Sequence, residues 1–171
     1  MSRTVFSAVL AFFLSALAAT TALAEEPHEP VTHRFCFTCH GTDGIGSEGI
    51  QAPRLAGMEP WYLKRQLELF RAGGRGTHPM DIEGMEMQPM AAILTDAEID
   101  DVVQWASTWE YIPAQPTITG GDVDHGKQLF QTCVMCHGDQ AQGNQAMNAP
   151  ALQGQNDWYL GLPMSKRSST L

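Results

Sequence analysis

The sequence predicts an all-α fold made of two small helical domains in tandem. Leu63, Leu67 and Phe70 recur at the spacing of one helix face, and Thr95 with Glu98 forms the capping box that typically begins a helix. In addition, a shift of 97 positions superimposes the two halves of the chain without a gap over about 28 residues. A constant offset of this kind indicates a duplicated domain.

A secretory signal peptide is predicted over residues 1–24 of the 171-residue chain. Arg3 precedes a long apolar run, and the small residues that follow end at Ala24, where we expect cleavage. An uncleaved N-terminal anchor is the alternative, because the run approaches the length that spans a bilayer. No later apolar segment reaches that length, so we expect no membrane span once the signal is removed.

The charge balance argues against one class of partner. Ten Lys and Arg residues stand against 19 Asp and Glu residues, which gives a net charge of −9 at pH 7. Nucleic-acid binding is not expected, because there is no basic stripe to neutralise phosphates. The acidic balance is compatible with steering towards a basic protein surface.

One five-residue pattern, C-x-x-C-H, occurs twice and contains all four cysteines. Such paired cysteines can add across the two vinyl groups of a haem, and the histidine that follows can bind the iron as proximal ligand. No thiol is then left for another disulfide or for a nucleophile. The motif residues are Cys36, Cys39 and His40 in the first copy and Cys133, Cys136 and His137 in the second.

Two other uses of paired cysteines are open at this point. A zinc ribbon also carries two C-x-x-C pairs, but these usually lie about 15–20 residues apart, whereas the present pairs lie 97 apart. A redox-active C-x-x-C pair needs neither the following histidine nor a second copy. The pattern therefore favours haem over zinc or a disulfide.

The first domain is expected over residues 25–110. After a polar lead-in, a short helix over residues 31–39 carries the chain into the first motif, and glycines between residues 41 and 46 turn it away. The next helix is expected to begin at Pro60, which suits a first helical position, and to end before Gly73.

Residues 75–88 lack a clear periodicity and are predicted to form a loop that holds several methionines. A closing helix follows Thr95, with apolar side chains at i, i+3, i+4 and i+7. Trp105 and Trp109 are expected to complete its packing. The apolar side chains are Ile99, Val102, Val103 and Ala106.

A linker over residues 111–121, punctuated by prolines and glycines, separates the two halves. The second domain is expected over residues 122–171 and begins with a helix from about Asp122 to Cys136. The match between the halves ends after Leu160, before any counterpart of the methionine segment or of the closing helix. The second domain is therefore expected to be partial.

Taken together, the motifs resemble those of the di-haem cytochromes c of the cytochrome c4 type, which contain tandem class I cytochrome c domains. The shared features are both C-x-x-C-H-G segments, the A-P-x-L-x-G that follows each, and W-Y-L at the start of a helix, and they extend over residues 25–160. The resemblance implies small helical bundles around two covalently bound haem c groups, with the second domain truncated. It also implies a periplasmic location.

The resemblance further implies which residues surround each haem. Pro53 and Pro150 match the family proline whose carbonyl oxygen accepts a hydrogen bond from the proximal imidazole. The family's distal ligand is a methionine seven positions before the leucine that precedes the cap, and counting back from Leu94 gives Met87. The rival methionines, which could instead fill space at a haem edge, are Met85 and Met90.

The second haem has no counterpart of Met87. Either the tail from Gly161 is a truncation or frameshift product, or this haem is five-coordinate or takes a ligand from elsewhere in the chain. Candidates for such a ligand are Met147, Met164 and His125. His28 and His33 in the lead-in are expected to be solvated, although either could be an alternative sixth ligand.

An electron carrier is the function that these features predict. A histidine and a thioether fill both axial positions and raise the potential of a c-type haem, so an electron can be gained and lost without binding a substrate. No Ser/His/Asp set, carboxylate pair or phosphate-binding glycine loop accompanies the motifs, so no catalytic residues are expected. Acidic groups at residues 81–86 and 96–101 are expected to be solvated, and the first could contribute to docking.

The resemblance implies protein redox partners: a membrane quinol-oxidising complex and a terminal oxidase or reductase. The alternative is a haem enzyme, or the cytochrome subunit of a larger oxidoreductase. In that case the open second haem binds small ligands such as peroxide.

Overall fold

The structure, a computed structural model, describes residues 34–168, with side chains described as far as residue 162. The predicted signal peptide, the lead-in with His28 and His33, and the side chain of Met164 lie outside the described residues. The secondary structure of the described range consists of helices and two isolated β-bridges, which confirms the all-α prediction. In this range no helix has the length and apolar character needed to cross a membrane.

Six α-helices follow one another in the described range. Two 3-10 helices, Glu48–Ile50 and Gln145–Met147, lie among them. The α-helices are α1 (Arg34–His40), α2 (Pro60–Arg71), α3 (Ile82–Ala92), α4 (Asp96–Ala106), α5 (Val123–His137) and α6 (Asp157–Ser168).

The repeat in the sequence is also a repeat in the structure. Helices α1 and α5 each end at the histidine of a motif, a 3-10 helix follows each, and α2 and α6 begin at equivalent positions. The isolated bridges, Ser47 with Ala52 and Asn144 with Ala149, obey the same offset. The tandem organisation is therefore visible in the fold.

Local sequence explains the bounds of α2. Pro60 is its first residue, where a missing N–H and a fixed φ are compatible with the helix. Gly73 adopts a φ of 72° just beyond the last turn, a conformation that glycine reaches without a steric penalty. Leu63 and Phe70 are buried and fix the face that this helix turns to the core.

The predicted capping box is present at the start of α4. The Thr95 hydroxyl accepts from the backbone N–H of Glu98 at 3.3 Å, and the Glu98 carboxylate accepts from the backbone N–H of Thr95 at 2.8 Å. The four predicted core residues of this helix are buried, and Ile99 is only 1% exposed. Trp105 is buried as well, whereas Trp109 lies beyond the end of the helix and packs at the edge of the core.

Two ion pairs join α2 to α4 across the surface of this core. The Arg71 guanidinium contacts Asp96 at 2.5 Å, and Lys64 pairs with Asp100. The sequence predicted that the acidic groups at residues 96–101 are solvated, but Asp96 and Asp100 each form an ion pair. Three of the four side chains are exposed and Arg71 is half-buried, so the contribution of each pair to stability is small.

The methionine segment, residues 75–88, was predicted to be a loop, but its second half is helical. Residues 82–92 form α3, which contains Met85, Met87 and Met90 and has Pro89 in its interior. The prediction was wrong because this helix has no amphipathic stripe and packs against α2, so its stability comes from tertiary contacts. Pro89 lies inside the helix although it has no N–H to donate there, and an interior proline normally argues against a helix in sequence-based prediction.

A close backbone contact determines where α3 begins. A Cβ atom on Gly76 would lie 2.1 Å from the carbonyl oxygen of Gly84, and one on Gly84 would lie 2.1 Å from the carboxylate of Asp81. The same carboxylate accepts from the backbone N–H of Gly76 at 3.1 Å. Asp81 is thus a structural partner of this turn and not a freely solvated charge.

Candidate haem sites

The first motif opens into a cavity of about 500 Å³. Cys36, Cys39 and His40 all line it from α1. Helices α2, α3 and α4 and the segment 50–58 supply most of the remaining wall, which is largely apolar and aromatic. Wall residues include Leu55, Leu63, Leu67, Phe70, Val102 and Trp105.

His40 is held in an orientation that suits a metal ligand. Its side chain is buried, and its Nδ1 lies 2.8 Å from the carbonyl oxygen of Pro53. Because a carbonyl can only accept, Nδ1 carries the proton and Nε2 is left with the lone pair that a metal needs. Burial lowers the pKa of His40 and so favours the neutral ring, and it outweighs the hydrogen bond to Pro53, which acts in the opposite direction.

The second motif repeats this local arrangement. The Nδ1 of His137 lies 2.8 Å from the carbonyl oxygen of Pro150, as the resemblance implied for both prolines. His137 is more exposed than His40, however, and α5 has no buried residue. The second motif therefore forms its proximal contact in a more open setting.

The cysteines are arranged for two separate attachments. All four are free thiols, and burial raises the pKa of the Cys36 thiol. Among residues 34–168, no three or more His, Cys, Asp or Glu side chains gather into a group that could hold a metal ion, so the two pairs do not form a zinc site. With a histidine after each pair, the residues present fit covalently attached haem.

The methionines of α3 differ in their placement. Met87 is half-buried and lines the cavity. Met90 also lines it but is 51% exposed, whereas Met85 is 49% exposed and is not part of the cavity wall. This placement favours Met87 as the thioether that faces a bound ring.

Sequence reasoning missed a further methionine, Met58, which is buried and also lines the cavity. Its sulfur accepts a hydrogen bond from the side-chain amide of Gln155 at 3.4 Å, which occupies the thioether. The 97-position repeat pairs Met58 with Gln155, and this pairing was the only signal in the sequence.

The alternative ligands proposed for the second haem are spread along the chain. His125 is exposed near the start of α5, which ends at His137. At a rise of about 1.5 Å per residue, the two lie about 18 Å apart along the helix axis. Met147 is exposed at the end of the second 3-10 helix, in the segment that leads to Pro150. Neither side chain is enclosed with His137.

The second half of the chain contributes to the wall of the first cavity. Gln155, Tyr159 and Leu162 are among its lining residues. The buried amide of Gln155 accepts from the backbone N–H of Arg54 at 3.1 Å and donates to the carbonyl oxygen of Arg54 at 3.0 Å. The repeat predicted two domains but did not reveal that one of them completes the wall of the other's cavity.

A linker tyrosine lies between equivalent points of the two halves. A Cβ atom on Gly57 would lie 2.5 Å from the Tyr111 ring, and one on Gly154 would lie 2.6 Å from it. The guanidinium of Arg54, which is buried, donates to the backbone carbonyl of Ile112 and to the side chain of Asn156. The linker is therefore part of the interface and not a loose tether.

Comparison with known proteins identifies relatives that share these features. The cytochrome c family model matches residues 29–109 and 123–170. A thiosulfate dehydrogenase electron acceptor from Stutzerimonas stutzeri (strain A1501) is 35% identical over 143 residues, which cover 76% of this chain and 61% of that protein. Cytochrome c4 from Stutzerimonas stutzeri is 28% identical over 171 residues, which cover 93% of this chain and 79% of that protein.

The solved structures that match this chain also include a cytochrome c4 and a thiosulfate dehydrogenase. Cytochrome c4 of Acidithiobacillus ferrooxidans matches with a TM-score of 0.62 at 27% identity, over 74% of this chain and 76% of that chain. Thiosulfate dehydrogenase (TsdBA) of Marichromatium purpuratum matches with a TM-score of 0.59 at 36% identity, over 73% of this chain and 27% of that chain. The chain spans 40–61% of the length of the first three curated relatives. The fold, the two motifs and these matches show that the chain belongs to the cytochrome c family, with two covalent haem c sites in the tandem arrangement of the di-haem cytochromes c4.

Proposed function

We propose that this protein is a periplasmic c-type cytochrome that carries single electrons between respiratory redox partners. The observation that carries the proposal is the first cavity, in which His40, Met87 and both cysteines line one largely apolar space. If His40 and Met87 both bound the iron of a haem held there, no position on the iron would be left for a substrate, as an electron carrier requires. Haem c, when bound, supplies the one-electron couple.

The residues around this site hold and shield such a group. Phe37 packs edge-on against Trp105 with ring centroids 4.9 Å apart, and Trp105 packs against Trp109 at 4.6 Å. These contacts tie the helix that carries His40 to the closing helix α4. Only a small rearrangement is expected on electron transfer, because these aromatic contacts hold the helix that carries His40 against α4.

A membrane quinol-oxidising complex and a terminal oxidase or reductase are the redox partners that we propose on family grounds. Because two relatives are named for thiosulfate dehydrogenase, we propose that enzyme as a further electron donor. Glu83 and Glu86 of α3 are among the residues that line the cavity, and the chain carries a net charge of −9. We therefore expect docking to a basic surface, with association rates that fall as ionic strength rises.

The test is electron transfer by the full-length holo protein. The oxidised protein should accept one electron per haem from a quinol-oxidising complex with its quinol, or from thiosulfate dehydrogenase with thiosulfate. The reduced protein should then be oxidised by terminal-oxidase membranes. Turnover of thiosulfate or peroxide by the isolated chain would contradict a carrier.

A second candidate function is favoured by the greater exposure of His137. In this alternative the chain is a haem enzyme or the cytochrome subunit of a larger oxidoreductase, and its second haem is open to small ligands such as peroxide. Carbon monoxide should then bind one of the two haems of the reduced protein, and peroxide should be consumed. If carbon monoxide bound to neither haem, the enzyme alternative would be excluded and the electron carrier would be the only candidate function left.

A further inference from the structure

The two proximal histidines hydrogen bond to equivalent peptide groups. The acceptor is the carbonyl of Pro53 for His40 and the carbonyl of Pro150 for His137, each at 2.8 Å. Each carbonyl belongs to the same planar peptide as the N–H of the next residue. Residues 34–168 contain no cis peptide bond, so the C=O and the N–H of each group point in opposite directions. Whatever binds the N–H therefore acts on the carbonyl that the histidine uses.

Both of these N–H groups are bound by side chains from the opposite half of the chain. The N–H of Arg54 donates to the amide oxygen of Gln155 at 3.1 Å. The N–H of Ala151 donates to the Glu59 carboxylate, whose two oxygens lie at 3.0 and 3.2 Å. Each half thus reaches across the interface to the peptide that orients the other half's histidine.

The two acceptors differ in charge. Gln155 offers a neutral amide oxygen, whereas Glu59 offers a carboxylate. Charge-assisted hydrogen bonds are about twice as strong as neutral ones, and hydrogen bonds in a chain polarise one another. The carboxylate therefore shifts electron density of its peptide towards the carbonyl oxygen of Pro150, which becomes the stronger acceptor for His137.

The position of Glu59 is built into the fold. Glu59 is half-buried and precedes the first residue of α2, so a rigid helix start fixes its backbone. A Cβ atom on Gly143 would lie 2.8 Å from the carboxylate oxygen of Glu59, so glycine at this position leaves the space that the carboxylate occupies. The contact with Ala151 is thus supported from both halves.

We propose, on the basis of the electron-transfer function above, that Glu59 is a positioning residue for the second haem. By polarising the peptide between Pro150 and Ala151, it makes His137 a more electron-rich ligand. Such a ligand stabilises the oxidised state and lowers the reduction potential of the second haem. The neutral Gln155 polarises the equivalent peptide of the first site less strongly. The reduction potential of the second haem is therefore lowered more by this contact than that of the first haem.

The experiment is a spectroelectrochemical titration of the full-length holo protein, with each haem followed by its own hyperfine-shifted proton signals. Glu59→Gln keeps an oxygen that can accept from the N–H of Ala151 but removes the charge. The potential of the second haem should rise while that of the first stays unchanged. The Ala151 amide proton should shift upfield as its hydrogen bond weakens.

Glu110→Gln is the matched control, because it removes an exposed carboxylate immediately before Tyr111, the linker residue that lies at the same interface. It should leave both potentials unchanged. An equal rise of both potentials in Glu59→Gln, or the same shift in Glu110→Gln, would mean that charge acts through space and would overturn the proposal. An unmoved Ala151 amide would overturn it too.

Gln155→Glu is the reverse variant. It places a carboxylate on the N–H of Arg54 and should lower the potential of the first haem alone, with circular dichroism confirming that the helices remain. An unchanged first potential in the folded variant contradicts the proposal. Failure of the proposed function is recognised separately, because the unmodified protein would then lack haem absorption or fail to exchange electrons with any partner.

Discussion

The two C-x-x-C-H motifs have the same local structure in different surroundings. In both, the histidine bonds at 2.8 Å to a proline carbonyl 13 residues further along the chain. His40 is nevertheless 4% exposed and lines a cavity to which four other helices contribute, whereas α5, which carries His137, has no buried residue. Local sequence is thus enough to build the proximal half of a haem site, and long-range packing is needed to enclose it.

Aromatic packing marks the same difference. Phe37 of the first motif packs against Trp105 of α4, a type of contact that contributes about 0.5–1.5 kcal/mol beyond area burial. The equivalent residue of the second motif is Val134, which is half-buried. The first motif is therefore anchored to a distant helix, while the second relies on its own turn and on the interface with the first half.

Removing one cysteine pair should give the largest effect and separate the two sites. Cys36→Ala with Cys39→Ala should abolish covalent haem at the first site, because no thioether bond can form there, and leave the second loaded. Intact mass and the haem content after denaturing extraction should both report the loss of half the haem. Cys133→Ala with Cys136→Ala is the converse control, and an unchanged haem content in either variant contradicts the assignment.

Met87→Ala should change the enclosed site only. The near-infrared band that arises from a thioether on ferric haem should disappear, and the potential of the first haem should fall, because a sulfur ligand favours the reduced state. Met85→Ala is the matched control and should leave the spectrum unchanged, since Met85 is outside the cavity wall. Persistence of the band in Met87→Ala would point to Met90 or Met58 as the ligand.

Ile99→Ala should test whether the first half has a tightly packed core around this side chain. Ile99 is 1% exposed, so the substitution leaves a cavity and should lower the free energy of unfolding by about 2–5 kcal/mol. Chemical denaturation followed by tryptophan fluorescence measures this change. Ile82→Ala, at a side chain that is 62% exposed and outside the cavity wall, should stay within about 0.5 kcal/mol. Equal losses in both variants would argue against a packed core at this position.

The smallest effect concerns the attachment of the linker to α6. The backbone N–H groups of Ile118 and Thr117 donate to the Asp157 carboxylate at 2.9 and 2.8 Å, and they lower the pKa of Asp157 from 3.8 to about 2. Because this pKa is lower in the folded state, the stabilisation is complete above pH 3.8 and is lost as the pH falls through about 2.

Hydrogen exchange of the Thr117 and Ile118 amides across this pH range should therefore show the linker loosening in acid. Asp157→Asn should remove the pH dependence without unfolding α2 or α4. A pH profile that is identical in the variant would show that another group is responsible.

Several features were determined by residues close together in the sequence. The bounds of α2, the capping box of α4 and the helix that carries the second motif were all predicted correctly, because turns, caps and helical periodicity depend on neighbours within a few positions. The cofactor was likewise predicted and confirmed, since both cysteines and the histidine of each motif lie within five residues. The choice of Met87 as distal ligand stays a prediction.

Only the tertiary structure decided the remaining features. The helix around Met87 has no periodic signal and depends on contacts with α2, so the sequence was misread there as a loop. The pairing of Glu59 with Ala151 and of Gln155 with Arg54 joins residues that lie 92 and 101 positions apart. The 97-position repeat showed which segments are equivalent. Which side chains meet across the interface depends on how the two halves dock, because docking is determined by shape and by hydrogen-bonding partners that no local sequence pattern encodes.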